Sequence, residues 1–464
     1  MRKIALFFLL SGWSAAQPWK VHYPKFPVVA PAGQWVELEV EGPIGKRPIL
    51  VGPSQSSLEE VSAGLYRGRF LSGSSDLRID QEVLGRCEVS PGLLGVFEVS
   101  KPSAVFRCGP SSDFDRLTPV VAGTRFEVLQ RQGDYYQVSP PLGWIKVSDG
   151  QLLPAEASVL RSRLTSVKVL EPANQVRFRL GAPCAWQVQE DVEGRKLWLD
   201  LPGVPMAIHE VAFAQDARRL PSLRVLPNGT GTRVEIPLRQ RLWGYATRWD
   251  GQDLVLDITP APKIDGRQPL RGLKVTLDAG HGGQDSGTVG LEKKVKEKDL
   301  NLAVTLALKA ELVGAGAQVT LTRAGDHQVA PEDAPADSEL QSRVDIAERS
   351  GAQLFVSIHH NARANVSEGR VSHGTDVYYY QHHSRGLAQA IAAPLAKAIG
   401  EPRYRHLWRS FHVVRQTKMP SVLVEVNYLS NPKLEAGMLA RPDFPQKAAR
   451  AIRLGMENFL RADP

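Results

Sequence analysis

A chain of 464 residues exceeds what one hydrophobic core organises, and 42% hydrophobic with 23% charged residues excludes a disordered or fibrous protein. The net charge of +8 comes from scattered Lys and Arg without a recognition motif or basic residues interleaved with aromatics, which excludes nucleic acid as partner and leaves other polyanions. After the first residues no stretch approaches 18 uninterrupted apolar residues, so no integral membrane domain is expected.

In chain order, Met1-Arg2-Lys3, an apolar run over residues 4–10 and Ser14-Ala15-Ala16 predict a signal peptide over 1–16, cleaved before Gln17. Ser11-Gly12 and Ser14 break the run too early for a membrane anchor. Export to the periplasm or cell envelope follows, and there the wall is the nearest polyanion. In that oxidising compartment Cys87 and Cys108 could pair and leave Cys184 over, or all three could be buried thiols.

Residues 17–101 alternate in short runs such as Trp35-Val36-Glu37-Leu38-Glu39-Val40, separated by Gly, Pro and Ser, and predict a small β unit without recognisable chemistry. Residues 102–153 carry Val105-Phe106-Arg107, Phe126-Glu127-Val128-Leu129, Gly133-Asp134-Tyr135-Tyr136-Gln137-Val138 and Gly143-Trp144-Ile145, and this text resembles the bacterial SH3-like domain. The resemblance implies a small β-barrel that binds wall components or acts as a spacer. Residues 155–262 are again β-rich, with Gln175-Val176-Arg177-Phe178-Arg179-Leu180 and Lys196-Leu197-Trp198-Leu199-Asp200-Leu201, and look like an AMIN domain, a targeting module. The polar, Pro-rich residues 263–270 read as a linker.

From 271 to 464 the pattern changes. Strand-like runs near 274–277, 318–321, 354–358, 376–380 and 422–426 alternate with helical stretches such as 300–312, which predicts an α/β layer with a largely parallel sheet flanked by helices. The chain is thus multidomain, all-β modules followed by an α/β catalytic domain. Such a sheet presents ligands beyond the carboxyl ends of its strands, where His281 and His359 fall; Glu297 lies at the start of the helix that Asp299-Leu300-Asn301-Leu302 opens. Two imidazoles and a carboxylate suit a catalytic zinc, although the local H-E-x-x-H pattern is absent, Phe213 standing where the second histidine after His209-Glu210 would be.

Specificity comes from the order of whole motifs: Asp278-Ala279-Gly280-His281-Gly282-Gly283-Gln284-Asp285-Ser286-Gly287, Lys296-Glu297-Lys298-Asp299-Leu300-Asn301-Leu302, Leu321-Thr322-Arg323, Arg343, Ser357-Ile358-His359-His360-Asn361-Ala362, then Val422-Leu423-Val424-Glu425-Val426. This series resembles the zinc-dependent N-acetylmuramoyl-L-alanine amidase family. The resemblance implies Zn2+ held by His281, Glu297 and His359, catalysis by Glu425, and peptidoglycan as substrate. An acid inside so apolar a run would be expensive to bury without a function.

His360 departs from the family, which commonly has a small residue there, and is expected in solvent or behind the ligands. The remaining histidines, among them His373, His382, His383, His406 and His412, are expected in loops or at helix edges, most of them at the surface. The competing readings are an inactive wall-binding protein, which should lack one of the four residues, and a zinc peptidase acting within the stem peptide. Residues 387–399 read as a helix and Phe411-His412-Val413-Val414 as a short strand, which leaves little chain between Tyr380 and Ser421 for a helix that plugs the site. No regulatory protein partner can be named.

Overall fold

The computed structural model of the chain describes residues 19–462 apart from short internal stretches, the longest being 215–219 and 363–372. The leader expected at 1–16 lies outside the described residues. No helix among them is long and apolar enough to cross a membrane.

Alternation builds the front of the chain as sheets. In Trp35–Glu41 the side chains of Val36, Leu38 and Val40 are buried while Glu37 and Glu39 stay partly exposed, the period-2 pattern of a half-buried strand. A four-stranded sheet built around it and a five-stranded sheet around Glu82–Val89 share one core with Tyr66, Phe70, Leu77 and Ile79. The next unit is a seven-stranded sheet with its own core around Phe97, Phe106 and Phe126. Gly95–Val99 belongs to it, pairing with Arg125–Gln132 and Gly150–Leu153, so the edge drawn between 101 and 102 falls inside this unit. Alternation identifies strands but not their partners, and Pro102 marks a turn within the unit. A third unit packs sheets of five and four strands over Val167, Phe178, Leu199 and Val234. All three cysteines are buried free thiols; Cys87 points into the first core, away from Cys108 beside the second sheet, so that pair does not form.

The last domain runs Lys274–Ala279 (β1), Glu297–Gly314 (α1), Gln318–Leu321 (β2), Ser338–Arg349 (α2), Leu354–Asn361 (β3), Thr375–Tyr379 (β4), Arg385–Ala398 (α3), Tyr404–Trp408 (β5), His412–Gln416 (α4), Ser421–Tyr428 (β6) and Phe444–Arg461 (α5). Its sheet order is β2-β1-β3-β6-β4-β5. The β1–β2, β1–β3, β3–β6 and β4–β5 pairs are parallel and β4–β6 is antiparallel. Glu297 and Asp299 in the first turn of α1 suit its positive end, and Leu300, Val304, Leu308 and Leu312 make the buried stripe that lays it on the sheet. Helices α3 and α5 approach so closely that a Cβ at Gly455 would lie 2.6 Å from the Ile391 Cα. The strand expected near Phe411 is instead α4: Val413 and Val414 pack with Val344 and Ala347 of α2, and that packing overrides the strand preference of the two valines.

The expected linker is not a free tether. Leu270 is buried in the last domain's core and Ile264 packs against it. Trp243, on the third unit's strand Leu242–Asp250, enters the same core, donates Nε1 to the Gln353 carbonyl at 2.7 Å and tilts against Phe459. Beside it Glu190 of the third unit accepts from the amide of His383 at 2.6 Å and lies 3.0 Å from its Nδ1. His382 and His383 are therefore buried at this joint and not at the surface, because the joint was invisible to local pattern. Gln353 precedes β3, so the joint sits at the end of the sheet opposite the carboxyl ends of β1 and β3.

Trp243→Ala should lower stability by about 3–5 kcal/mol, the cost of emptying a large buried aromatic site, and uncouple the melting of the last domain from the third unit in calorimetry. An unchanged melting profile would mean that the joint carries no stability.

Candidate metal centre

Strand β1 is buried along nearly its whole length and ends in a turn that two buried arginines hold by its carbonyls. Arg343 donates to the carbonyls of Ala279 at 2.8 Å and His281 at 2.9 Å; Arg323 donates to those of Ala279 at 2.8 Å and Gly280 at 3.0 Å. Under them Asp278 accepts from Arg343, Thr322 and Ser357. Burial alone would raise that carboxyl, but Arg343 and the two hydroxyls hold it below the usual range. This framework surrounds His281 at φ +61°, a left-handed conformation that a histidine seldom adopts, and its ring lies with its centre 5.0 Å from that of His359.

Glu297 meets it from the first residue of α1. Its Oε1 lies 3.1 Å from His281 Nε2 and 3.1 Å from His359 Nδ1, while Oε2 accepts from the Thr288 amide at 2.9 Å. His359, near the carboxyl end of β3, lies so close to the β1 turn that a Cβ at Gly280 would run into its ring. Ligand atoms of His281, Glu297 and His359 all fall within 4.8 Å of one another, so the three could hold a metal ion. Asp285 Oδ2 is 2.7 Å from His281 Nδ1 and aims the other ring nitrogen at Glu297, the arrangement that orients metal-binding imidazoles. Electrostatically the cluster calls for positive charge. Burial would raise Glu297, but both histidines hold it well below the usual carboxylate range; burial would lower His281, but Glu297 and Asp285 push it up to about 9.

Glu425 sits directly opposite His359 in the β3–β6 register, and Asp376 of β4 lies opposite it on the other side. Its Oε2 is buried and has no hydrogen-bond partner among the described residues. Burial, then the charges of Glu297 and Asp376, push its carboxyl up to about 8. Asp376 is satisfied by two bonds from Arg405 at 2.7 and 2.8 Å and one from the Tyr428 hydroxyl at 3.0 Å. His360 lies behind the ligands, fully buried, not in solvent; burial pushes its imidazole down to about 3.

The four predicted residues therefore meet. Asp285, Asn301, Asp376 and the arginines that hold the β1 turn had no predicted role. Asn301 stands one helical turn after Glu297, a spacing that could have flagged it; Asp376 is reached only through strand register. Between Tyr380 and Ser421 the chain forms α3, β5 and α4, all packed into the fold.

A strand-end histidine, a helix-start glutamate and a second strand-end histidine that could hold a metal ion, with a buried carboxylate oxygen that has no hydrogen-bond partner among the described residues on the adjoining strand, are the groups a hydrolase of the metal-binding class would need. Residues 275–458 match the model of the N-acetylmuramoyl-L-alanine amidase family. The chain is 35% identical over 209 residues to uncharacterized protein YqiI of Bacillus subtilis (strain 168), spanning 44% of this chain and 93% of that protein. It is 32% identical over 206 residues to the germination-specific N-acetylmuramoyl-L-alanine amidase of the same organism, 42% of this chain and 84% of that one. It is 33% identical over 195 residues to the N-acetylmuramoyl-L-alanine amidase LytC of that organism, 42% of this chain and 37% of that one. The chain belongs to the N-acetylmuramoyl-L-alanine amidase family, and its function is that of a peptidoglycan amidase in the cell wall.

Proposed function

We propose that the chain hydrolyses the amide between the lactyl group of N-acetylmuramic acid and L-alanine of the stem peptide, with Zn2+ held by His281, Glu297 and His359 and with Glu425 as the catalytic carboxylate. The observation that carries this reading is Glu425 Oε2, buried without a hydrogen-bond partner among the described residues and on the residue opposite His359 in the strand register, next to three convergent ligand groups. The donor set fits: two imidazoles and one carboxylate leave a coordination position open, as catalytic zinc sites do. When bound, zinc supplies an acidified water and a Lewis acid for the carbonyl. Glu425 takes a proton from the attacking water and delivers it to the departing L-alanine nitrogen. Asp285 keeps the His281 ring in place, and the two buried arginines keep its backbone in place.

Export to the periplasm or envelope fits a substrate that lies outside the cytoplasm. The β units ahead of the catalytic domain, read as an unassigned module, an SH3-like domain and an AMIN-like domain, hold it to the wall in turnover or daughter-cell separation. Their joint lies at the end of the sheet opposite the metal centre.

Digestion of purified peptidoglycan by the full chain, read by mass spectrometry, tests the reaction. Free lactyl groups on muramic acid together with peptides beginning at L-alanine are expected. New termini inside the stem peptide would replace this reading with a peptidase, and binding without cleavage would replace it with a wall-binding protein.

Gly280→Ala follows from the same reading. The new methyl displaces the His359 ring, so zinc affinity should fall while the melting temperature of the metal-free protein changes little. Parental affinity, measured by chelator competition, would show that His359 does not need its present position.

A further inference from the structure

We propose that His360 is a positioning residue for the metal centre, acting through Asn301 to fix the orientation of the Glu297 carboxylate. The inference rests on the reading of His281, Glu297 and His359 as ligands. It starts from hydrogen-bond polarity. Asn301 is fully buried on α1, and its Nδ2 lies 3.1 Å from the Gly280 carbonyl and 3.4 Å from Glu297 Oε1. Both neighbours only accept, so the amide nitrogen must face them and the amide oxygen must face away. That oxygen lies 2.8 Å from His360 Nδ1. An amide oxygen also only accepts, so His360 Nδ1 must carry the ring proton. The assignment leaves Nε2 bare, and Nε2 is the ring atom that is buried without a partner among the described residues, in a ring 5.9 Å from that of Phe444. An unfilled acceptor is tolerated there more readily than an unfilled donor.

A directed chain results: His360 Nδ1–H to Asn301 Oδ1, then Asn301 Nδ2–H to Glu297 Oε1 and the Gly280 carbonyl. The His360 amide also donates to the same Glu297 oxygen, at 3.2 Å. Turning the Asn301 amide over would aim oxygen lone pairs at a carboxylate and a carbonyl and would leave His360 facing an NH2 group. His360 thereby excludes the one alternative that repels Glu297. The oxygen that Asn301 and the His360 amide hold is the one 3.1 Å from both metal-facing imidazole nitrogens. Gly280, tied to the same amide, is the residue on which His359 packs. One side chain thus sets the approach of both the carboxylate and an imidazole.

The test measures zinc affinity of the full chain by competition with a chromogenic chelator, beside the melting temperature of the metal-free protein. His360→Leu fills the buried site without a donor and should weaken zinc binding by about 10- to 100-fold, the usual effect of losing a partner that orients a ligand. His360→Asn returns an N–H near the position of Nδ1 and should restore most of that affinity. Parental zinc affinity in His360→Leu, or equal weakening in both variants, would overturn the proposal. So would a lowered melting temperature with unchanged affinity, which is what a purely structural role predicts. His281→Ala runs alongside: if it too binds zinc like the parent, the ligand reading itself fails. Should His360→Leu not fold, nitrogen NMR of histidine-labelled parent protein decides. The expected ring is the Nδ1–H tautomer, and an Nε2–H ring at His360 would overturn the chain.

Discussion

Glu425→Gln is expected to keep the fold and the bound metal while hydrolysis falls by about 10²- to 10⁴-fold, the contribution typical of a positioned acid-base group. The two side chains are nearly isosteric, so the site beside Asp376 and opposite His359 stays filled. What the amide cannot do is accept the proton of the attacking water. The parent's rate should also fall on the acid side, because the carboxylate acts as a base only above its own titration, and the residual rate of the variant should lack that limb. Steady-state rates on a soluble muropeptide across pH, with metal content measured on the same samples, provide the check. Activity within about tenfold of the parent would remove Glu425 from the chemistry.

Removing the metal is expected to abolish activity, and adding zinc back should restore it. Affinity should rise with pH through the range in which His281 loses its proton, since ion and proton compete for the same nitrogen. The metal-free protein has its own pH signature. His281 is raised from 6.5 to about 9, so its contribution to stability is full below 6.5 and fades as pH climbs through 9. Glu297 is lowered from 4.5, so its contribution is present above 4.5 and fades as pH falls. Metal-free stability from this pair should therefore be greatest between about pH 4.5 and 6.5, and bound zinc should extend it upward by mass action. Full activity after exhaustive chelation, with no metal left by elemental analysis, would sink the metal reading.

The joint changes what truncation can show. A chain begun at Arg267 would lose Trp243 from the core of the last domain and Glu190 from His383, so a fall in wall binding would be mixed with a fall in stability. Trp243→Ala and full-length variants in the β units separate the two.

By itself the sequence determined the change from alternating strands to strand and helix near residue 271, because both periods are local and lie in a few consecutive residues. It also picked out His281, Glu297, His359 and Glu425, because the order of whole motifs along the chain resembles one family; strand ends and a helix start only placed the first three where a ligand site could lie. Only the tertiary structure decided that these four face one another. The register that sets Glu425 between His359 and Asp376 is a pairing of strands far apart in the chain, and no local period encodes it. The same holds for what was misread. His383 looked like a surface residue until Glu190 met it across 193 positions, and residues 263–270 looked like a tether until Leu270 entered the core. Cys87 and Cys108 were open to pairing until separate sheets carried them apart. Burial and partnership depend on which surfaces the folded units press together, and the free energy of that packing is shared among residues that no local stretch of chain contains.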